Sequence, residues 1–468
     1  MLGDGSELGA SAERRLGDRI AREIYRDPDY LDDPVLAEYV DAIWQPLLAA
    51  ARQRGDISAE LDERFAWEIM LGRDRTINAF ALPGGYLGLH LGLIGVVGSR
   101  DELASVLAHE LSHVSQRHIS RLMTKQNAQT PWMIGAMILG ILAASKNPDS
   151  ANALLVGSQA VAMQNQLNFS RDMEREADRV GFAVLGQAGF SPQGFTGMFD
   201  KLQQAARLND NGSFPYLRSH PLTTERIADM QSRMPAGSAA PTTADSPLDH
   251  AMVSARARIL SNPGVDALRS AVAEAAVPGL ASAPASRQAG VLYSATLASA
   301  RMRDFAAAQA TLGRLSVVSA ASPAAVRLAR LLAAELALQA GQPADILSGA
   351  GRPELFLNTQ SLLLSGRPGD ALPALQTWLS RHPRDASAWQ ALSSASAAQG
   401  LTLRAIRADG EAQVARLDYG AALDRFKAAQ NLMRVAPGGA GLDHIEASII
   451  DTRSRAVQLL VREQALER

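Results

Sequence analysis

Cysteine is absent from all 468 residues. That excludes a disulfide framework and any thiolate metal ligand, and it suits an exported protein that avoids mispairing. An excess of charge of either sign is missing as well. The 46 Lys and Arg against 48 Asp and Glu leave a formal net charge of −2, which gives no case for nucleic-acid binding. Long hydrophobic runs are also lacking. The apolar stretch from residue 131 to 145 is about fifteen residues, short of the roughly twenty that cross a bilayer, so no transmembrane span is expected. The first residues, Met1-Leu-Gly-Asp-Gly-Ser-Glu, carry neither the basic nor the apolar segment of a secretion signal. What remains is the composition of an ordinary globular chain, 47% hydrophobic and 20% charged, long enough for two or more domains.

Against this plain background one motif stands out. His109-Glu110-Leu111-Ser112-His113 is the H-E-x-x-H pattern of a zinc peptidase. Histidines four apart on a helix project from one face and can share a metal, while Glu110 is placed to take a proton from the attacking water. Leu103, Val106, Leu107, Leu111, Val114 and Ile119 mark the buried stripe of such a helix, and Gly98-Ser99-Arg100-Asp101 supplies its start. Two imidazoles in that setting are costly to bury unless their nitrogens find partners. Core histidines bonded to backbone are the plainer alternative to a metal pair. His118, five residues past His113, is expected off the ligand face as a solvated residue of the helix end.

A catalytic zinc takes three protein ligands and leaves one position open. Downstream, Ser170-Arg-Asp-Met-Glu174-Arg-Glu-Ala177-Asp178 reads as a second helix with Glu174 and Asp178 on one face. Glu174 can complete a His-His-Glu set. Asp178 can then reach back to a ligand histidine and fix its tautomer. Ala177 is small enough to let the two helices approach, and Glu176 points elsewhere. An exposed acidic helix face is the alternative for this segment.

Asn78-Ala-Phe-Ala-Leu-Pro-Gly-Gly85, the H-E-x-x-H helix, Glu174-x-x-Ala177-Asp178 and Ser219-His220-Pro221-Leu222 with Glu225-Arg226-Ile227 occur together. Jointly they resemble the HtpX and CAAX-prenyl-endopeptidase family of gluzincins. The resemblance implies one Zn²⁺ per chain held by His109, His113 and Glu174, with Glu110 as general base. The periplasmic members with a helical-repeat tail, which serve outer-membrane β-barrel assembly, resemble the chain best. A periplasmic location is therefore expected, with a leader peptide already removed.

Two further residues bear on mechanism. Arg226 is a candidate to stabilise the developing oxyanion, or equally a structural salt-bridge partner. His220 is held extended by Pro221. It can either occupy the open zinc position as a fourth ligand, giving a latent protease, or line the cleft. Residues 64 to 70, 76 to 82 and 86 to 90 read as short strands. Asn78, Ala79, Phe80 and Ala81 then form the edge that receives an extended substrate by strand addition, the alternative being a buried core strand.

The expected fold is mainly α, with a small β-sheet in a gluzincin-type peptidase domain at residues 1–235. Residues 236–250 form a Pro/Ala/Ser/Thr-rich linker, and residues 251–468 an α-helical tetratricopeptide-like solenoid. The stretches from Arg303, Gly366, Trp389 and Asp418 suggest about four degenerate repeats, capped by a helix over residues 442 to 467. Tyr293, Trp378, Trp389 and Tyr419 are expected in the repeat core. Residues 131 to 163 read as a helical hairpin beside the active site, or as a shallow membrane contact. The expected function is cleavage of misfolded or stalled envelope proteins, with the repeats recruiting clients or docking on the outer-membrane β-barrel assembly machinery. The alternative is chiefly a chaperone or scaffold with a shut metal site.

Overall fold

The structure is a computed structural model describing residues 8–125, 170–207, 215–234, 247–262, 264–435 and 444–466. It groups into two compact units, Met1–Ala329 and Arg330–Arg468. Among the described residues no helix is long and apolar enough to cross a membrane. The expected hairpin at 131–163 lies outside the described residues, as does most of the expected linker.

In the first unit, α1 (Ala10–Arg26) and α2 (Pro34–Arg54) precede a small sheet. Proline at its first position and the Asp33 side chain, which accepts from Leu36 N at 3.0 Å, start α2. Gly55, in the left-handed region at φ 77°, ends it. The sheet is mixed. β1 (Glu68–Gly72) runs parallel to β3 (Tyr86–His90), and β2 (Ala79–Leu82) pairs antiparallel on the other side of β3. The first strand begins four residues later than residue 64 because Ser58 caps a short helix, α3 (Ala59–Arg64), that takes up the expected start.

The turn from β2 to β3 passes through Gly84 and Gly85 at positive φ. A Cβ on Gly84 would lie 2.8 Å from the Arg14 backbone and one on Gly85 2.7 Å from Phe65, so the turn packs directly on its neighbours. The order β1-β3-β2 leaves β2 at an edge of the sheet among the described residues.

After α4 (Leu91–Val96), helix α5 (Arg100–Ser115) carries the H-E-x-x-H residues. Ser99 caps it by accepting from Glu102 N at 3.1 Å, and the Glu102 carboxylate reaches back to Gly98 N at 2.6 Å. Every residue from Leu103 to Ser115 is buried, so α5 is central rather than merely amphipathic. A short α6 (His118–Lys125) follows it.

Helix α7 (Arg171–Gln187) crosses α5 closely. Ala177 is fully buried, and a Cβ on Gly181 would stand 3.0 Å from the Ala108 carbonyl oxygen. The small residues along α7 are what permit the approach. Then come α8 (Gln193–Arg207), the single turn α9 (Tyr216–Ser219) and α10 (Thr224–Ser232).

The next helix, α11 (Leu248–Ser261), begins within the last residues of the expected linker and joins the same unit. Ser254 Oγ donates to Gly95 O at 3.0 Å, His250 Nε2 to Val97 O at 3.0 Å, and Arg256 pairs with buried Asp33 at 2.6 Å. Compactness therefore draws its line at residue 329, beyond the motif boundary read near 235.

From α12 (Val265–Glu274) onward the described chain is helical: α13 (Ala285–Arg301), α14 (Phe305–Ser319) and α15 (Pro323–Gln339). Tyr293 on α13 is buried. The second unit holds α16 (Arg352–Leu364), α17 (Leu372–Arg381), α18 (Ala386–Ala398), α19 (Thr402–Ala415), α20 (Tyr419–Val435) and α21 (His444–Leu466). Leu375, Leu379, Leu392 and Ala395 form one core, with Trp378 and Trp389 packed against it. Phe426, Leu423, Ile450 and Val457 form another, joined by Tyr419. The fold class expected from sequence, helical with a small sheet and a helical C-terminal array, is the one observed.

Candidate metal centre

Four side chains from three segments converge. His109 and His113 come from α5, Glu174 from α7, and His220 from the C-terminal end of α9. One donor atom from each lies within 4.8 Å of all the others, and all four are buried. His109 Nε2 stands 3.0 Å from His113 Nε2 and 3.3 Å from His220 Nδ1. Glu174 Oε1 is 3.0 Å from His220 Nδ1 and 3.4 Å from His113 Nε2, and its Oε2 is 3.5 Å from His109 Nε2. Ligands at about 2.1 Å around a tetrahedral ion stand about 3.4 Å apart, so these separations fit the donor set of one small divalent cation.

The electrostatics agree. Burial, the strongest influence on His109, disfavours its charge, yet the Asp178 and Glu174 carboxylates together carry its pKa up to about 10. Burial works against the Glu174 carboxylate too, but interaction with His220 and a hydrogen bond from His109 hold it well below the ordinary range. Two buried carboxylates facing the imidazoles favour positive charge in this pocket.

Two of the four donors are oriented from behind, His109 by Asp178 and Glu174 by Arg226. Asp178 Oδ1 accepts from His109 Nδ1 at 3.0 Å, the contact expected from its place one turn beyond Glu174. Arg226, on α10, grips Asp178 with Nε at 2.6 Å and Nη2 at 2.8 Å. Its Nη1 lies 2.8 Å from Glu174 Oε2 and donates to Pro221 O at 2.9 Å. Burial opposes the charge on Asp178, but the guanidinium and His109 more than offset it and hold the acid below the usual carboxylate range.

Glu110 differs from every acid around it. It is fully buried, neither of its oxygens accepts a hydrogen bond, and Oε1 lies 3.5 Å from His220 Nε2. A buried carboxylate without a donor is costly, and it marks a group kept for chemistry rather than for stability.

The family match follows this geometry. The model of peptidase family M48 matches residues 39–234, which hold all four donors and Glu110. Over nearly its whole length, the chain is 31% identical to a Vibrio cholerae protein provisionally named a beta-barrel assembly-enhancing protease. That alignment covers 92% of this chain and 87% of the relative. The chain belongs to peptidase family M48. The beta-barrel assembly-enhancing protease of Escherichia coli is 29% identical over 90% of this chain and 84% of its own. The mitochondrial metalloendopeptidase OMA1 of Arabidopsis thaliana is 31% identical over 35% of this chain and 31% of its own. This M48 member is accordingly a metalloendopeptidase.

The other sequence-predicted residues fall as follows. Asn78 precedes edge strand β2, and its carbonyl accepts from His90 N at 3.0 Å. Ala79 is buried, while Phe80 and Ala81 are half-buried. The Phe80 ring lies edge-on to His90 at 5.8 Å. His220 is reached through a helical turn rather than a purely extended loop, with φ −124° and ψ 74° at His220 itself before Pro221.

Two participants escaped the sequence reading. Tyr216 is buried, stacks on the His220 ring at 4.6 Å and donates its backbone N–H to Ile77 O at 3.3 Å, tying the His220 segment to the approach of β2. Burial, with Glu110 and Glu174 nearby, pushes its phenol well up. The other is His118. It was expected to be solvated, and that expectation is corrected: it is fully buried, with Nδ1 2.9 Å from His113 Nδ1 and Nε2 3.1 Å from Glu176 Oε2. Helical phase fails here because α5 ends at Ser115 and the chain turns through Arg117 at φ 54°, which swings His118 back behind His113. No local signal announces a left-handed arginine.

Proposed function

We propose that the chain is a zinc-dependent endopeptidase of the bacterial periplasm that cleaves misfolded or stalled outer-membrane proteins presented as extended segments. The observation that carries this reading is the convergence of His109, His113 and Glu174 beside the unpartnered carboxylate of Glu110. His109, His113 and Glu174 would hold one Zn²⁺, which acidifies water and polarises a peptide carbonyl. Glu110, without a competing donor, accepts the proton of the attacking water and returns it to the leaving amine. Asp178 holds the His109 tautomer. Arg226 is closer to the structural role than to the oxyanion, because its nitrogens already face Asp178, Glu174 and Pro221.

His220 supports latency. Its Nδ1 stands among the donors where substrate or water would have to enter, so it would close the site as a fourth ligand. Opening then requires the segment from Pro215 to Pro221 to withdraw from Tyr216's bond to Ile77. The edge position of β2 supports strand addition through residues 78–81, a mode that selects unfolded chain over a tight sequence code. The names of the relatives support the envelope setting and a connection with β-barrel assembly. We assign residues 1–235 to the peptidase and residues 251–468 to tetratricopeptide-like repeats that bind clients or the assembly machinery.

Zinc analysis and cleavage of an unfolded outer-membrane β-barrel protein test the reading. One zinc per chain is expected. Glu110→Gln should keep the metal and lose about 10²- to 10⁴-fold in rate. His220→Ala should keep the metal and cleave faster than the parent. A parent chain and a His220→Ala variant that both bind zinc and cleave nothing would instead favour the scaffold reading, in which a shut metal site supports a chaperone.

A further inference from the structure

We infer that His118 is a positioning residue for the metal centre, relaying the orientation of ligand His113 to Glu176 and Arg121 near the surface. The inference rests on the zinc reading above and concerns His113, whose ring stands against a second imidazole. His113 turns Nε2 toward the other donors, 3.0 Å from His109 Nε2 and 3.4 Å from Glu174 Oε1. To bind a metal there, that nitrogen must be bare and the ring proton must sit on Nδ1. Nδ1 lies 2.9 Å from Nδ1 of His118. Two ring nitrogens that close cannot both carry hydrogen, so His118 Nδ1 is the acceptor.

His118 is then protonated on Nε2, which donates to Glu176 Oε2 at 3.1 Å. Arg121 Nη1 holds the same oxygen at 2.8 Å. Every bond in the chain His113, His118, Glu176 points outward. The arrangement fixes one tautomer at each ring and adds electron density to the ligand nitrogen. His118 has no exposed surface, whereas Glu176 and Arg121 are part-exposed, so the relay links the buried ligand to groups that can be changed without disturbing the core.

The test is zinc affinity of the full chain, measured by titrating metal-depleted protein with Zn²⁺ against a competing chelator. His118→Leu removes the acceptor and should weaken binding by about 10- to 100-fold. In His118→Asn the amide oxygen occupies the place of Nδ1 and accepts from His113 but cannot reach Glu176, so its affinity should lie between parent and His118→Leu. Glu176→Ala alters a part-exposed helix position and should weaken zinc while the metal-free melting temperature holds. It decides the matter even if His118→Leu fails to fold. Parent-like zinc affinity in Glu176→Ala, or equal losses in His118→Leu and His118→Asn, overturns the relay. A parent chain that binds no zinc fails differently, because it removes the metal reading itself.

Discussion

Arginine clamps an aspartate in each compact unit, buried Asp178 in one and part-buried Asp385 in the other, and the surroundings of the two clamps differ. In the second unit Asp385 accepts from Arg352 Nε at 2.8 Å and Nη2 at 2.9 Å, from Trp378 Nε1 at 2.9 Å and from Ala388 N at 3.0 Å. One carboxylate thereby caps α18 and ties it to α16 and α17, and its acceptor capacity is filled. In the first unit Asp178 also receives a forked guanidinium, but it passes the polarity on to His109. Next to that histidine in the chain, Glu110 has nothing to accept. A satisfied knot of charges makes a fold stable; the same knot beside an unsatisfied acid makes a reactive site. The Asp178 clamp of the first unit therefore holds a candidate donor in place, whereas the Asp385 clamp of the second holds helices.

Breaking the two clamps in turn sharpens that contrast. The largest effect is expected from Asp178→Asn, which removes the carboxylate gripped by Nε and Nη2 of buried Arg226 and leaves Glu174 as its remaining charge partner. Loss of one member of a buried pair costs about 3–5 kcal/mol, and loss of an orienting carboxylate about 10- to 100-fold in metal affinity. Denaturant midpoints and zinc titration of the same variant should fall together. Asp385→Asn comes next, at about 2 kcal/mol, because a charged acceptor becomes a neutral amide that still caps the helix. Its signature is a lowered unfolding midpoint with zinc affinity unchanged. If this variant also weakened zinc binding, the two clamps would not be independent.

Acid provides the smallest effect. Burial raises the pKa of Asp385, but Arg352, the Ala388 amide and Trp378 outweigh it and hold the acid below its ordinary value. Its contribution is thus fully present above the unfolded value of about 3.9 and is lost as pH falls below that toward the folded value. The melting-temperature gap between parent and Asp385→Asn should stay constant above about pH 5 and narrow below about pH 4. A gap that persists unchanged through acid would show that the carboxylate charge is not what Arg352 holds.

Much of the site could be read before any coordinates. Four-residue spacing placed His109 with His113 and Glu174 with Asp178, and Ala177 marked the close helix crossing; all of these depend only on helical period and side-chain size. The errors came where the backbone left its period. The helix capped by Ser58 ran through Arg64, the first residue of the expected first strand, and Arg117 took a left-handed turn that rotated His118 into the core. Tyr216 gave no sign, since an aromatic in a short turn has the same local pattern whether it packs on a ligand or faces water.

Sequence alone determined the kinds of donor, their pairing along each helix and the helical character of the array, because these follow from neighbours within one or two turns. Tertiary structure alone decided that His220, 111 residues from His109, enters the donor set. It also decided that Arg226 locks Asp178, that His118 stands behind His113, and that Glu110 remains without a donor. Contacts at such separations depend on how whole helices pack, and local periodicity carries no information about the distance between helices far apart in the chain.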